Sequence, residues 1–281
     1  MRANKSLKDE RGRHFYVEDA VSTYREFAPP SPLKEHVLCI WTQTIATSRG
    51  SYSHLVLPDA CIDIVFINND APVIVGPWTE AFVANLAAGS SIVGVRFHPG
   101  RAPSLLGVPA HTLLNQSVPL DAIVRSPLRD RLSRIADKPD LATKRSALEA
   151  GLFNGLPNRS PIDQSVSAAM RWLARDPDAH VQQLSDWIGL SSRQLQRRFS
   201  SAVGYGPKTF HSILRFQRVL YLANGEHKEK TLVDLALQAG YSDQAHMTRE
   251  VHRFSGIQPK RVLRSSSCTL RMCDFLETKL L

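Results

Sequence analysis

Cysteine is scarce: four residues in 281, at Cys39, Cys61, Cys268 and Cys273. That is too few and too scattered for a disulfide scaffold or a Cys-x-x-Cys zinc site, and it predicts a reducing, cytoplasmic home. Long hydrophobic runs are missing too. No stretch approaches the roughly 18 apolar residues of a spanning helix, so no membrane association is expected. The opening segment, residues 1–12, is polar and mixed in charge, unlike a secretory leader. A Gly-rich phosphate loop, a nucleophile elbow and a zincin pattern are all absent, so no enzyme is expected and no cofactor is implied.

Acidic charge is also in deficit. Thirty-five Lys and Arg against 26 Asp and Glu leave a formal +9, which points to a polyanionic partner. The excess is uneven. Residues 1–160 carry 18 basic and 15 acidic side chains, residues 161–264 carry 15 and 9, and residues 265–281 balance at two each. The stretch Asn154-Gly-Leu-Pro-Asn-Arg-Ser-Pro161 is rich in turn formers and lacks an apolar period. The expected division is therefore 1–160, 161–264 and a tail, 265–281.

In the first part, residues 37–98 read as short strands: 37–45, 53–57, 62–67, 73–75 and 92–97, separated by Pro, Gly, Asn and Asp. This spacing predicts a β-sandwich or barrel-like domain. Apolar spacing turns helical from Arg101 to Phe153, adding helices to it. Such a domain serves as a ligand pocket with a dimerisation surface, or as a barrel filled by its own side chains. His54, Asp59, Cys61, Asp63 and His98 follow no metal-ligand spacing, so no metal site is expected. Cys39 and Cys61 read as small core residues.

The second part contains an internal repeat. Val181–Phe199 leads into Gly204 and Pro207, and Leu232–Val251 leads into Gly256 and Pro259. In both copies a Leu-small pair (Leu184-Ser185, Leu235-Ala236) precedes a glycine (Gly189, Gly240), and the copies differ by one residue at the turn. Each reads as a helix-turn-helix with the glycine at the left-handed exit of its first helix. Ser191 with Gln194 forms a capping box that opens the second helix. The first helices carry apolar stripes: Leu184, Trp187 and Ile188, then Leu232, Leu235 and Ala239. On the second helix of copy one, Leu195 and Phe199 point inward, leaving Arg193, Gln196, Arg197 and Ser200 outward at i, i+3, i+4 and i+7. Arg and Gln suit guanine and adenine edges in the major groove. In copy two Met247 and Val251 point inward, and the outward face carries Gln244, Ala245, His246, Thr248, Arg249 and His252. Its weaker donor set predicts that copy one discriminates bases more sharply. Residues 207–224 read as one connecting helix with Pro at its first position. At about 1.5 Å per residue it is about 27 Å long, enough to set two recognition helices near one DNA turn of about 34 Å. The expected partner is double-stranded DNA, and the expected class is α+β: strand-rich first, all-α double helix-turn-helix second.

These residues resemble the AraC/XylS family of bacterial transcription regulators. The signature runs Leu232-Val-Asp-Leu-Ala, Gly240-Tyr-Ser-Asp-Gln, Arg249-Glu-Val and Phe254-Ser-Gly-Ile-Gln-Pro259, with Gly189-Leu-Ser-Ser-Arg-Gln-Leu-Gln-Arg-Arg-Phe199 as its upstream counterpart. Val251 departs from the family's usual Phe. The segments 57–66, 94–101 and 105–110 are similar to one N-terminal type in this family. The resemblance implies base contacts from Arg193, Gln196, Arg197, Gln244, His246 and Arg249, and an N-terminal domain that senses a small-molecule effector or dimerises. It implies a transcription regulator, expected to be an activator that meets RNA polymerase and to form a homodimer. Two alternatives stay open: an N-terminal half that only dimerises or binds a protein, and an N-terminal enzyme or metal/redox sensor.

Overall fold

In a computed structural model the chain is strand-rich in its first half and all-helical in its second, an α+β arrangement. The structure describes residues 6–8, 14–16, 22–47, 51–125, 127–224 and 231–259. The expected tail at 265–281, with Cys268 and Cys273, lies outside these residues.

The strands are β1 (Ser6–Lys8), β2 (His14–Tyr16), β3 (Ser22–Phe27), β4 (Val37–Ile45), β5 (Ser51–Val56), β6 (Ile62–Ile67), β7 (Val73–Val75), β8 (Phe82–Ala87), β9 (Ser91–Phe97) and β10 (Ser117–Pro119). An antiparallel six-stranded sheet has the order β10-β7-β6-β9-β4-β3, and β5 pairs with β8 separately, as does β1 with β2. The large sheet is open, with β10 and β3 at its edges, so it closes no barrel.

Alternation along the strands sorts two apolar layers. Ile62, Ile64 and Phe66 of β6, with Val93, Val95 and Phe97 of β9, face a cover of helices. That cover comprises α1 (Ala102–Leu106), α2 (Leu120–Ile123), α3 (Leu128–Ser133) and α4 (Leu141–Phe153), which contribute Leu105, Leu120, Leu132, Leu148 and Leu152. The opposite face, with Cys39, Trp41, Ile45 and Ile92, packs against Tyr52 of β5 and Leu86 of β8. Val37 and Ile40 share the first layer although their positions differ in parity. A β-bulge between Val37 and Cys39 accounts for this, because the extra residue flips the side chains that follow. Gly94 of β9 lies beneath the Trp41 indole, where a Cβ would stand 2.3 Å from the ring.

The second half comprises α5 (Gln164–Arg175), α6 (Val181–Ile188), α7 (Ser192–Val203), α8 (Pro207–Asn224), α9 (Leu232–Gln238) and α10 (Gln244–Ser255). Residues 159–163 run between the 3-10 turn Leu156–Asn158 and α5 without regular structure. The two halves nevertheless share apolar packing, since Leu57 and Ala60 belong to the helical core with Met170, Phe199, Phe216 and Phe254. Polar ties reinforce the seam. Arg101 Nη1 donates to Ser167 Oγ at 3.0 Å, and the buried Gln217 amide donates to the Pro58 carbonyl. Gly204 sits so close to Pro77 that a Cβ would stand 2.6 Å from its Cγ.

Candidate nucleic-acid interface

Both expected helix-turn-helix units are present. In the first, Gly189 leaves α6 at φ 73° and its N–H bonds back to the Ser185 carbonyl at 3.0 Å, satisfying an end carbonyl of the helix. Ser191 and Gln194 then cap α7 reciprocally. Ser185 Oγ lies 3.2 Å from Ser192 Oγ, so the small residue lets the two helices cross closely. Leu184, Leu195 and Phe199 are almost fully buried, each worth about 1.5–3 kcal/mol of burial. In the second unit Thr231 and Asp234 cap α9, Gly240 turns at φ 82°, and Asp243 caps α10. Burial pushes Leu235, Ala236, Met247 and Val251 inward, so Val251 still fills its core position. One expectation is corrected. Trp187 is 57% exposed and stacks on Trp172 with ring centroids 6.2 Å apart, outside the apolar stripe expected of α6.

On α7, Arg193, Gln196 and Arg197 are exposed and Ser200 is half-buried. On α10, Gln244, Ala245 and Arg249 are exposed, and His246, Thr248 and His252 are half-buried. The Gln196 amide folds over the α7–α8 turn, where a Cβ on Gly206 would stand 2.2 Å from its Oε1. His246 is held more firmly: its Nδ1 lies 3.2 Å from Ser242 Oγ and its ring meets Tyr241 edge-on at 5.2 Å. Gln196 and His246, from different units, line one cleft. Arg197 lines a different groove, between α7 and the Gly107–Pro109 segment. Its neighbour Arg198, outside the outward stripe, is engaged elsewhere, with Nε 2.7 Å from Asp163 at the start of α5.

Helix α8 is the frame. Arg215 reaches the second unit, with Nη2 3.3 Å from Glu250 and Nη1 donating to the Gly240 carbonyl at 3.2 Å. Arg218 donates to the Ala174 carbonyl of α5 at 3.0 Å. Phe210, Leu214 and Val219 are buried along its length, and Leu222 is half-buried.

The first half holds a buried polar network that spacing alone does not reveal. Arg96 binds Asp63 through two bonds of 3.0 and 3.1 Å, and its Nη1 lies 3.3 Å from Asp59. These are the two carboxylates of the constellation tested above for metal ligation, and they serve a guanidinium instead. Among the described residues, no group of three or more His, Cys, Asp or Glu is placed to hold a metal ion. Asp63 and Arg96 face each other across neighbouring strands, a register that sequence separation conceals. Burial pushes the Cys39 thiol up to about 12 and Cys61 well above the ordinary thiol range, leaving both protonated. Among the described residues, no helix is long and apolar enough to cross a membrane.

Two family models match: a domain of unknown function (DUF6597) over residues 25–119, and a helix-turn-helix domain over residues 184–265. An uncharacterised helix-turn-helix transcriptional regulator of Haemophilus influenzae is 23% identical over 128 residues, covering 45% of this chain and 41% of that protein. Another, from Staphylococcus aureus, is 29% identical over 85 residues, covering 30% of this chain and 11% of that protein. The matches thus span less than half the length of these curated relatives. A probable AraC family transcriptional regulator from Rhodopseudomonas palustris has a solved structure that is 23% identical, with a TM-score of 0.34, covering 37% of this chain and 98% of that one.

Proposed function

We propose that this chain, which belongs to the AraC/XylS family, is a sequence-specific regulator of transcription that grips double-stranded DNA with two recognition helices. The observation that carries this reading is the pair of capped helix-turn-helix units on one frame helix, each presenting an outward polar stripe. Arg193, Gln196, Arg197 and Ser200 read bases from α7, and Gln244, His246, Thr248 and Arg249 read them from α10. Residues 161–264 form the DNA-binding unit and residues 1–160 the regulatory one. A small-molecule effector bound by the regulatory unit favours one DNA-bound geometry, which requires it to bind the two states unequally. In this reading the protein is an activator that contacts RNA polymerase as a homodimer.

The test is enrichment of bound duplexes from a random-sequence library. A bipartite motif with its halves about one helical turn apart is the expected result. Enrichment of no sequence over bulk DNA at physiological salt would overturn the proposal, whatever the salt dependence of binding.

One observation favours a second reading, in which the first half only dimerises or binds a protein partner. The space between the large sheet and the β5–β8 pair is filled by Cys39, Trp41, Tyr52 and Leu86. Mass spectrometry of gently purified protein separates the two, because a bound organic ligand supports effector sensing.

A further inference from the structure

The inner face of the six-stranded sheet, turned toward β5 and β8, is apolar at one end and charged at the other. Trp41, Ile45 and Ile92 pack against Tyr52 and Leu86 at the apolar end. At the other end the register sets Cys39, Arg96 and Asp63 in one row across β4, β9 and β6, with Glu26 of β3 beside Trp41 in the next row. Paired residues of antiparallel strands project to the same side, so Glu26 shares this face. Asp59, from the loop before β6, joins the row through Arg96. Three carboxylates thus stand against one guanidinium, all within electrostatic reach of the Cys39 thiol. Although they lie between two layers, the side chains of Arg96, Asp59 and Asp63 keep 19%, 18% and 11% of their surface accessible. His54 of β5, within electrostatic reach of Arg96, is half-buried too. The layers therefore stay apart here and leave a polar chamber.

Tyr205 supplies an independent sign of a ligand. It stands in the turn between α7 and α8, 6% exposed, and its hydroxyl is buried with no partner. The ionisable groups within reach of that hydroxyl are Asp59 and Cys61. Buried polar atoms are nearly always satisfied, and an orphan beside a charged cluster calls for a group that enters between them. Every nitrogen of the Arg96 guanidinium already faces Asp63 or Asp59, so an incoming anion would meet three carboxylates and a cation already in use. An apolar molecule would leave the excess negative charge uncompensated at depth. Among the described residues, these carboxylates are not placed to hold a metal ion together, so the cation that fits carries its own hydrogens.

We infer that this chamber seats a small organic ammonium ion, whose N–H groups donate to Asp59 and to the Tyr205 hydroxyl oxygen while Glu26 and Asp63 balance its charge. Tyr24 and Trp41, with ring centroids 5.8 Å apart, border Glu26 with the aromatic surface that ammonium ions favour. The inference rests on the effector reading above and gives it a ligand class and a seat. Tyr205 belongs to the turn that joins the recognition helix α7 to the frame helix α8. A ligand held there touches both halves at once, so it binds different arrangements of the two halves unequally.

The experiment follows the melting temperature of the full chain against n-butylammonium, with n-butanol and butanoate as neutral and anionic analogues, all at matched ionic strength. Only n-butylammonium is expected to raise it saturably. Tyr205→Phe keeps the ring and should weaken that binding about tenfold or more, the loss of one hydrogen bond to a charged group. It should leave the melting temperature of the ligand-free chain no lower, because the hydroxyl has no partner there to lose. Glu26→Gln, at the half-buried edge of the sheet, should weaken ammonium binding as well. The seat is overturned by the absence of a saturable shift, by an equal shift with n-butanol, or by unchanged affinity in Tyr205→Phe. A second arm measures affinity for the enriched duplex with and without n-butylammonium, which should change in the native chain and not in Tyr205→Phe. Selective ammonium binding that leaves duplex affinity unchanged overturns the effector role, with DNA binding intact. Failure to prefer any duplex overturns the DNA-binding reading, and the melting series still decides the seat.

Discussion

The side-chain amide of Gln217, in the middle of the frame helix, donates to the carbonyl of Pro58 in the loop before β6. The two residues are 159 positions apart, and Gln217 is completely buried. A strand-rich half and a DNA-binding half thus meet through a fully buried side-chain donor.

Gln217→Leu keeps the volume and removes the donor, leaving that carbonyl buried and unpaired. The expected loss is about 1–3 kcal/mol of folding stability, read from the midpoint of urea unfolding. An unchanged midpoint would show that the bond contributes nothing.

Arg197→Ala and Arg249→Ala should differ in kind. The first is expected to erase about 1–3 kcal/mol of discrimination between the enriched duplex and one altered at a single half-site base. The second is expected to lower affinity with less loss of preference. Equal loss of preference in the two variants would contradict the unequal division between α7 and α10.

Gly94→Ala tests the sheet interior. Its Cβ would stand within 2.4 Å of two Trp41 ring carbons, and a rigid indole cannot fold aside. Overpacking of about 1–3 kcal/mol is expected, seen as a lowered melting temperature. Trp41→Leu in the same chain should restore part of the loss, and absence of any such coupling would count against the contact.

Acid should destabilise the protein before its carboxylates titrate. Burial lowers His54 and His211 to about 4, with nearby Arg96 and Arg215 adding to the effect. An unfolded histidine protonates near pH ~6.5, so the unfolded chain takes up protons first as pH falls. The stabilising contribution is therefore complete above about 6.5 and is lost progressively toward about 4. A melting series from pH 7.5 to 4.5 should show this fall, and His211→Gln should flatten part of it. A melting temperature constant across that range would refute the buried, neutral state of these rings.

Much of the DNA-binding half was legible because its signals are local. The Ser191–Gln194 box, the glycines at 189 and 240 and Pro207 at the head of α8 each act within a few residues, and each stands where the spacing places it. Strands β4, β6, β7 and β9 were legible through their β-branched runs. Strands β1, β2 and β3 precede residue 37, where the β-branched runs begin. In β3 exposure alternates along Ser22–Phe27, because a polar edge strand needs few apolar residues. Strand β8 is hidden by Ala and Asn, its pairing with β5 set by partners some thirty residues away. Trp187 shows the limit of periodicity, which places a side chain on a face but does not supply a neighbour to cover it. The Arg96 network depends on which elements the fold brings together, and no spacing encodes that.

Arg215, Gln217 and Arg218 hold three different bodies: the second helix-turn-helix, the strand-rich half and α5. At about 100° per residue they leave α8 in three directions, so the helix is braced against turning about its own axis. A braced axle fixes the angle between the two reading heads as well as their distance. DNA rotates by about 35° with each base pair. One pair inserted between the half-sites would therefore swing the far groove out of reach, and the protein would act as a gauge of operator length to a single base pair.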